Sequence, residues 1–384
     1  MKVSTLTAAV CAAVLTTVAL AAPASAHGGQ PPVSISKKVL ADGMLTPLSL
    51  DIDSNGTAYL SQNFAGLLTA VPSRGQRSDP VNGNGDEISA VATRGKTVYY
   101  AQVAQDHSRA RLMSLTKGKA PAQVADLWAF ENSKNPDSKN TYGFVGLPAS
   151  CAAQIDPEGP AGPATYTGIV DTHPYAALAT KSGIYVADAG ANAIIKVGYN
   201  GRVSTVAVLP PTPPITVTAE LAAQFGFPAC AVNYKYRFEP VPTDVEVGPG
   251  GWLYVTSLPG GPEDASLGNR GAVYKVNPWS GKVVSFATGF VGATGLAVSP
   301  KTGVVFVAEM FGGAQGTGQI SVVAPWGKRA VTSFAVSSPA AIELSGRNLY
   351  LTMDAFVLGE TGPQPIGKLV KVGLTGKSAK SYLG

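Results

Sequence analysis

The sequence contains few charged residues and few histidines. Asp, Glu, Lys and Arg make up 14% of its 384 residues, and 29 basic against 24 acidic side chains leave a formal net charge of +5. A charge this small over so long a chain does not favour nucleic acid as a partner. The three histidines are not spaced as a zinc-binding pair, so the sequence predicts no metal site, and it leaves the question of a cofactor open.

Long apolar runs are absent except at the start of the chain. There Lys2 precedes the apolar residues 6–20 and the small residues 24–26, which is the order of a secretory signal peptide. We predict a signal peptide at residues 1–26 and a mature chain that begins at His27. Nothing downstream approaches the roughly 18 consecutive apolar residues of a spanning helix, so we expect a secreted protein without a membrane anchor.

Cysteine is also scarce, with three residues in the whole chain. Cys11 lies in the predicted signal peptide, which leaves Cys151 and Cys230. An even number of cysteines in an oxidising compartment favours a disulfide over a metal ligand or a catalytic thiol. We therefore predict a structural Cys151–Cys230 bridge.

No segment shows the sustained 3.6-residue periodicity of an amphipathic helix, whereas Gly and Pro are abundant, with 44 and 29 residues. This composition is typical of short strands joined by tight turns. A strand motif with an apolar residue, an aromatic, an apolar residue and a small residue recurs six times. The copies are residues 58–61, 98–101, 184–187, 253–256, 305–308 and 349–352.

Six copies of one strand predict six copies of one supersecondary unit. The fold class is therefore predicted to be all-β, a six-bladed β-propeller with four-stranded antiparallel blades, formed by a single domain over residues 27–384. Residues 33–40 resemble an outermost strand and are expected to close the ring. Residues 379–383 could compete for the same edge.

The connections between the predicted strands differ greatly in length. Those from the first to the second strand of a blade, and from the third to the fourth, are short turns with Gly. The long ones include insertions at about 128–172 and 210–242, and antiparallel alternation places them all on one face. Long loops on a rigid scaffold are where function usually resides. A Cys151–Cys230 bridge would join the two insertions into a cap over the channel mouth.

Several short motifs give the chain a family resemblance. Residues 184–197 resemble an NHL-type propeller repeat. Residues 135–137, 142–144, 150–153 and 171–175 are similar to segments of the secreted ScyD/ScyE family, which is associated with scytonemin biosynthesis. The resemblance implies a six-bladed NHL-like propeller and an extracytoplasmic location, and it assigns no catalytic residue.

Candidate ligand contacts on the long-loop face combine aromatic side chains with carboxylates and one histidine. They are Glu131, Tyr142, Asp171, His173, Tyr175, Asp244 and Glu309. Aromatic side chains can hold a flat or apolar ligand, and a histidine that titrates near neutral pH can move protons. Polar residues at strand ends can equally cap backbone donors, and a long loop needs an apolar cluster of its own.

Three functions are compatible with these residues. The leading hypothesis is a binding protein whose long-loop face takes a small molecule, a glycan or a protein. The second is an extracytoplasmic enzyme, hydrolytic or oxidative, which uses Glu309 or Asp171 with His173 at the channel mouth. The third is a protein-interaction scaffold with an exposed apolar patch.

Overall fold

Six four-stranded antiparallel sheets make up most of the chain that the structure describes, residues 33–159 and 162–384 of a computed structural model. The innermost strands of consecutive sheets are in contact, and those of the sixth and first sheets complete a closed cycle. The predicted all-β propeller fold is confirmed, and the six sheets of the ring are consistent with the predicted number of blades. The predicted signal peptide and His27 lie outside the described residues.

Each blade runs from an innermost strand at the channel to an outermost strand at the rim. Blade 1 consists of Leu50–Ile52, Ala58–Gln62, Leu67–Val71 and Ser78–Asn82. Blade 2 consists of Glu87–Arg94, Thr97–Val103, Ala110–Thr116 and Ala122–Asp126. Blade 3 consists of Pro174–Thr180, Gly183–Asp188, Ala193–Val197 and Val203–Val208. Blade 4 consists of Pro242–Val247, Leu253–Ser257, Gly271–Val276 and Val283–Phe290. Blade 5 consists of Ala293–Val298, Val305–Glu309, Gln319–Val323 and Ala330–Ala335.

Blade 6 combines both ends of the described chain. Its strands are Ile342–Ser345, Asn348–Met353, Gly367–Thr375 and, outermost, the N-terminal Ser34–Met44. The N-terminal strand pairs antiparallel with Gly367–Thr375. The competing C-terminal segment instead lies in a helix, Gly376–Leu383, which packs with the core between blades 5 and 6. The N-terminus therefore closes the ring, as expected.

The recurring aromatic of the strand motif explains how neighbouring blades adhere. In every copy its ring packs in the apolar cluster between its own blade and the next one around the ring. The six residues are Tyr59, Tyr99, Tyr185, Tyr254, Phe306 and Tyr350. Aromatic side chains bury more area than most others, so one aromatic per repeat supplies a large share of each interface.

The two predicted insertions form a small sheet of their own. It consists, in order, of Thr165–Thr167, Thr141–Val145, Lys235–Arg237 and Ile215–Thr216. Cys151 and Cys230 are bonded, with an S–S distance of 2.03 Å and Cα atoms 5.9 Å apart, so the predicted disulfide is confirmed. The bridge joins the two insertions beside a core that includes Phe144, Leu221 and Tyr236.

Helices are short and lie mainly in the insertions. The α-helices are Leu127–Lys134, Ala149–Ala152, Ala219–Phe225 and Gly376–Leu383. Short 3-10 turns occur at Asn63–Ala65, Ala229–Ala231, Pro249–Gly251 and Ala265–Leu267, and a small hairpin pairs Leu358–Gly359 with Gly362–Pro363. Among the described residues, no helix has both the length and the apolar character needed to span a membrane.

The channel mouth on the long-loop face is filled by apolar side chains. The cluster combines Leu48, Tyr175, Met310, Phe311, Ala340, Ala355 and Phe356. Because these residues come from blades 1, 3, 5 and 6, on opposite sides of the ring, their contacts must cross the channel axis. None of these residues belongs to the predicted insertions, so the cluster fills the mouth without them, and a cap of disulfide-linked insertions over the mouth stays a prediction.

Candidate functional site

An aromatic cavity of about 270 Å³ lies where the second insertion meets the long loop of blade 4. Its lining comprises Tyr166, Leu221, Phe225, Phe227, Tyr236, Phe238, Glu239, Val241, Gly260 and Gly261. The rings form a continuous series, with centroid distances of 5.9 Å from Phe225 to Phe227, 5.7 Å from Phe227 to Tyr236 and 4.8 Å from Tyr236 to Phe238. A concave, mostly aromatic surface of this kind suits a small flat ligand.

One carboxyl group and one guanidinium group frame the cavity. Glu239 Oε1 accepts a hydrogen bond from the Tyr166 hydroxyl at 3.0 Å, and its Oε2 accepts one from Asn192 Nδ2 at 2.9 Å. Burial raises the pKa of Glu239. The Arg270 guanidinium stacks 4.7 Å from the centroid of Phe238 and donates to the Gly260 carbonyl at 2.9 Å, while burial lowers its pKa to about 10. Among the described residues that line the cavity, Glu239 supplies the one carboxyl group, and we call it the polar anchor of the cavity.

Two stacked imidazoles form a second cluster on the same face. The rings of His107 and His173 are parallel to within 14°, with centroids 4.6 Å apart. His107 Nδ1 lies 2.9 Å from Asp171 Oδ1, and His173 Nε2 lies 3.0 Å from Glu87 Oε2. Within the described residues, His107 Nε2 and His173 Nδ1 form no hydrogen bond. Each imidazole is thus held by one carboxylate and keeps one nitrogen available.

The neighbouring carboxylates determine the charge of His173. Burial lowers the pKa of this imidazole, but the charge of Glu87 and its hydrogen bond outweigh burial, and the net effect raises the pKa to about 9. Burial also opposes ionisation of Glu87, yet the charge of His173 and a hydrogen bond from Asn63 Nδ2 at 2.7 Å lower its pKa. The two groups therefore form an imidazolium–carboxylate pair at neutral pH.

A pH titration tests this pair directly. We expect the His173 imidazole to titrate near pH 9, and Glu87→Gln to lower its pKa by at least about one unit, because the opposite charge is removed. Since the folded pKa exceeds the 6.5 of a free imidazole, the stabilisation is complete below about pH 6.5 and is lost as the pH rises through 9. Long-range ¹H–¹⁵N spectra of the imidazoles follow the titration.

The control is Glu360→Gln, which removes an exposed carboxylate in the Leu358–Pro363 hairpin. It should leave the His173 titration unchanged. A wild-type His173 that titrates near 6.5 and ignores Glu87→Gln would contradict the ion pair.

A group of buried carboxyls lies between the imidazoles and the aromatic cavity. Asn192 Nδ2 donates to both Asp137 Oδ2 and Glu239 Oε2 at 2.9 Å, which links the cavity to the first insertion. Asp188 caps the chain before blade 3, accepting from the His173 backbone N–H at 2.8 Å and from the Thr172 hydroxyl at 2.6 Å. Asp188 therefore caps donors of the neighbouring loop, which is the structural role expected of a polar residue at the end of a strand.

Four of the seven predicted contact residues lie in this region. Asp171 and His173 belong to the imidazole cluster, and burial and neighbouring carboxylates raise the pKa of Glu131 to about 8. Tyr142 is fully buried, and its hydroxyl donates to Asp137 Oδ2 at 2.8 Å. The structure places Glu131 and Tyr142 inside the first insertion and not on an open surface.

The other three predicted contacts lie elsewhere. Tyr175 belongs to the apolar cluster at the channel mouth. Asp244 faces the channel, accepts from the Val245 and Leu296 N–H groups at 2.8 and 2.7 Å, and has a pKa raised to about 7 by burial. Glu309 lines a groove of about 450 Å³ between the loops of blades 4 and 5. Its oxygens accept from Val291 N–H at 2.7 Å, Gln319 Nε2 at 2.8 Å and the Ser321 hydroxyl.

The channel below the apolar cluster is lined by carboxyl groups. Asp51, Asp244, Glu246 and Glu343 project from the innermost strands of blades 1, 4 and 6. Burial, followed by mutual repulsion, raises the pKa of Glu246 and of Glu343 well above its usual range. In the described part of the chain, no group of three or more His, Cys, Asp or Glu residues has a metal-binding arrangement.

Comparison with solved structures supports the β-propeller fold. No protein-family model and no curated protein matches the chain. A PQQ-bound aldose sugar dehydrogenase from Streptomyces coelicolor superposes with a TM-score of 0.51 at 13% identity, covering 90% of this chain and all of that one. The chain is a β-propeller. A luciferin-regenerating enzyme has a TM-score of 0.52 at 10% identity, covering 90% of this propeller and 96% of its own chain.

A third propeller, virginiamycin B lyase from Staphylococcus aureus, has a TM-score of 0.48 at 12% identity, covering 89% of this chain and all of that one. At identities of 10 to 13%, the likeness to the dehydrogenase and to the luciferin-regenerating enzyme shows the fold alone and carries over no chemistry.

Proposed function

We propose that this protein is a secreted propeller of the ScyD/ScyE type that binds a small, flat, apolar molecule in the aromatic cavity on its long-loop face. The cavity supports the proposal, because its ring series and single carboxyl group are what a small-ligand site requires. Its volume of about 270 Å³ lies just below the range for drug-sized ligands, which favours a compact molecule over a glycan chain or a protein.

The Glu239 carboxyl group favours a ligand that carries a hydrogen-bond donor. Glu239 already accepts one hydrogen bond on each oxygen, from Tyr166 and Asn192, and each carboxylate oxygen has a second lone pair. It can therefore accept a further bond from an amine, an indole N–H or a phenol. The preferred ligand is an aromatic ring that bears such a donor.

Phe225→Ala tests the cavity with tyramine as the probe. We expect tyramine, which has an aromatic ring and an ammonium group, to bind the wild-type protein in isothermal titration calorimetry. The substitution should weaken binding about tenfold, because it removes one stacked ring of the cavity wall.

Phe64→Ala is the matched control, because Phe64 is exposed on the same face and does not line the cavity. Cyclohexylamine serves as a probe without an aromatic ring and should bind more weakly than tyramine. Equal affinities of the wild type and Phe225→Ala for tyramine would refute the site.

Acid–base catalysis at the imidazole cluster is the second candidate. Asp171 orients His107 through Nδ1 and leaves Nε2 available as a base, while the adjacent His173 imidazolium could stabilise a developing anion. This arrangement depends on a His173 that stays charged at neutral pH, so a His173 pKa below 7 in the titration above would remove its basis.

A further inference from the structure

Three buried oxygen atoms in one short segment of the first insertion have no hydrogen-bond partner. They are Glu131 Oε1, Asn135 Oδ1 and Asp137 Oδ1. The side chains of Glu131 and Asp137 are each 1% exposed. Buried polar atoms are normally bonded, because the lost hydration is otherwise uncompensated. Three unbonded acceptors within seven residues leave the hydration that each oxygen lost on burial uncompensated.

The local backbone brings these side chains into one neighbourhood. The Leu127–Lys134 helix ends at Asn135, whose left-handed φ of 35° turns the chain and whose N–H donates to the Glu131 carbonyl at 2.7 Å. Asn135 Nδ2 donates to the Gly168 carbonyl at 2.9 Å. A Cβ on Gly168 would lie 1.9 Å from Asp137 Oδ1, so Asp137 also packs directly against Gly168. The amide and one carboxylate thus lie against the same glycine.

The remaining oxygens of the two carboxyl groups are already used. Asp137 Oδ2 accepts from Tyr142 at 2.8 Å and from Asn192 at 2.9 Å, and Glu131 accepts a hydrogen bond from the Asp171 backbone. These bonds fix the orientation of both side chains. The unbonded oxygens are therefore held in place by the surrounding structure and are not free rotamers.

The electrostatic surroundings favour a positive occupant. After burial, the charges that act most strongly on Glu131 are those of Asp188 and Asp137, and Asp137 is in turn near Asp171. Buried carboxylates in such proximity repel one another, and a bound cation or proton relieves the repulsion.

We propose that Glu131, Asn135 and Asp137 bind a calcium ion that fixes the base of the first insertion to the segment around Gly168. Calcium takes carboxylate, amide and backbone carbonyl oxygens together with water, in flexible geometries with six to eight ligands. Two carboxylates and one amide supply part of such a set. Magnesium retains its own waters and is rarely held by an all-protein cage, so calcium is the better match.

The three proposed ligands all belong to residues 131–137, at the end of the Leu127–Lys134 helix. By ordering these residues, the ion would support the contacts that Asn135 and Asp137 make with Gly168, in the segment that leads into blade 3. The two proposals have separate readouts, calcium content here and tyramine binding for the aromatic cavity, so either can fail without the other.

Calcium content and thermal stability test the proposal in the full-length mature chain. We expect elemental analysis of protein equilibrated with calcium and then desalted to find about one calcium per chain. After removal of metal with EGTA, 1 mM CaCl₂ should raise the midpoint of thermal unfolding by about 3 °C or more. An equal response to 1 mM MgCl₂ would overturn the assignment to calcium.

Glu131→Gln and Asp137→Asn should each abolish the response to calcium. Either amide can keep the existing hydrogen bonds on its oxygen while its NH₂ group faces the proposed ion. Glu158→Gln, an exposed position in the same insertion, should respond as the wild type does.

The absence of bound calcium and of any midpoint shift in the wild type would overturn the proposal. In that case protons on the carboxyl groups, and not a metal ion, would relieve the repulsion between Glu131 and Asp137. Because the calcium content is measured on the wild type, this result does not depend on whether the variants fold.

Discussion

Phe306→Ala should lower the free energy of unfolding by about 3–5 kcal/mol, the range for a large aromatic removed from a core. Phe306 is fully buried and packs in the cluster that joins blade 5 to blade 6, with Ile342, Leu351 and Val370 on the other side. Alanine would leave a cavity at a blade interface in a closed ring, where neighbouring sheets cannot move together without disturbing the next interface.

Urea unfolding followed by circular dichroism measures the effect of this substitution. Phe64→Ala removes the same side chain from a site that is 49% exposed and should cost less than about 1 kcal/mol. If Phe306→Ala were as mild as Phe64→Ala, the recurring aromatic would not be the main contact between blades.

Replacing both Cys151 and Cys230 by serine should destabilise the insertions by about 4 kcal/mol. On the chain-entropy model, a bridge between residues 79 apart in sequence restricts the unfolded chain by roughly this amount. The insertions have their own sheet and their own apolar core, so the loss should fall on them first. The propeller ring should retain most of its stability.

Differential scanning calorimetry can separate the two parts. We expect the double variant to show an early transition for the insertions, followed by one for the ring. A reducing agent should convert the wild-type trace to that of the variant and leave the variant unchanged. A single transition at the wild-type temperature in the double variant would contradict a stabilising role for the bridge.

The sequence predicted the ring correctly because its signals are local and repeated. Each strand motif contains both the alternation that forms a strand and the aromatic that contacts the next blade, as Tyr254 and Phe306 illustrate. Glycine turns between strands had the expected positive φ, for example 78° at Gly56 and 62° at Gly95. The disulfide followed from the count of cysteines.

The side-chain clusters could not be predicted in the same way, because their partners are distant in sequence. His107 and Asp171 are 64 residues apart, and Glu87 and His173 are 86 apart. Glu87 begins the innermost strand of blade 2, and nothing local in the sequence pairs it with His173. The aromatic cavity also depends on strands of only two to five residues, which carry too little alternation to be recognised.

The position of the first strand constrains the order of events during folding. Ser34 pairs with Thr375, so the earliest described segment of the polypeptide must wait for almost the last before its hydrogen bonds can form. Contacts of such long range slow folding, because the entropy of loop closure is lost before they can compensate for it. A nascent chain therefore cannot complete blade 6 until the Gly367–Thr375 strand has been synthesised.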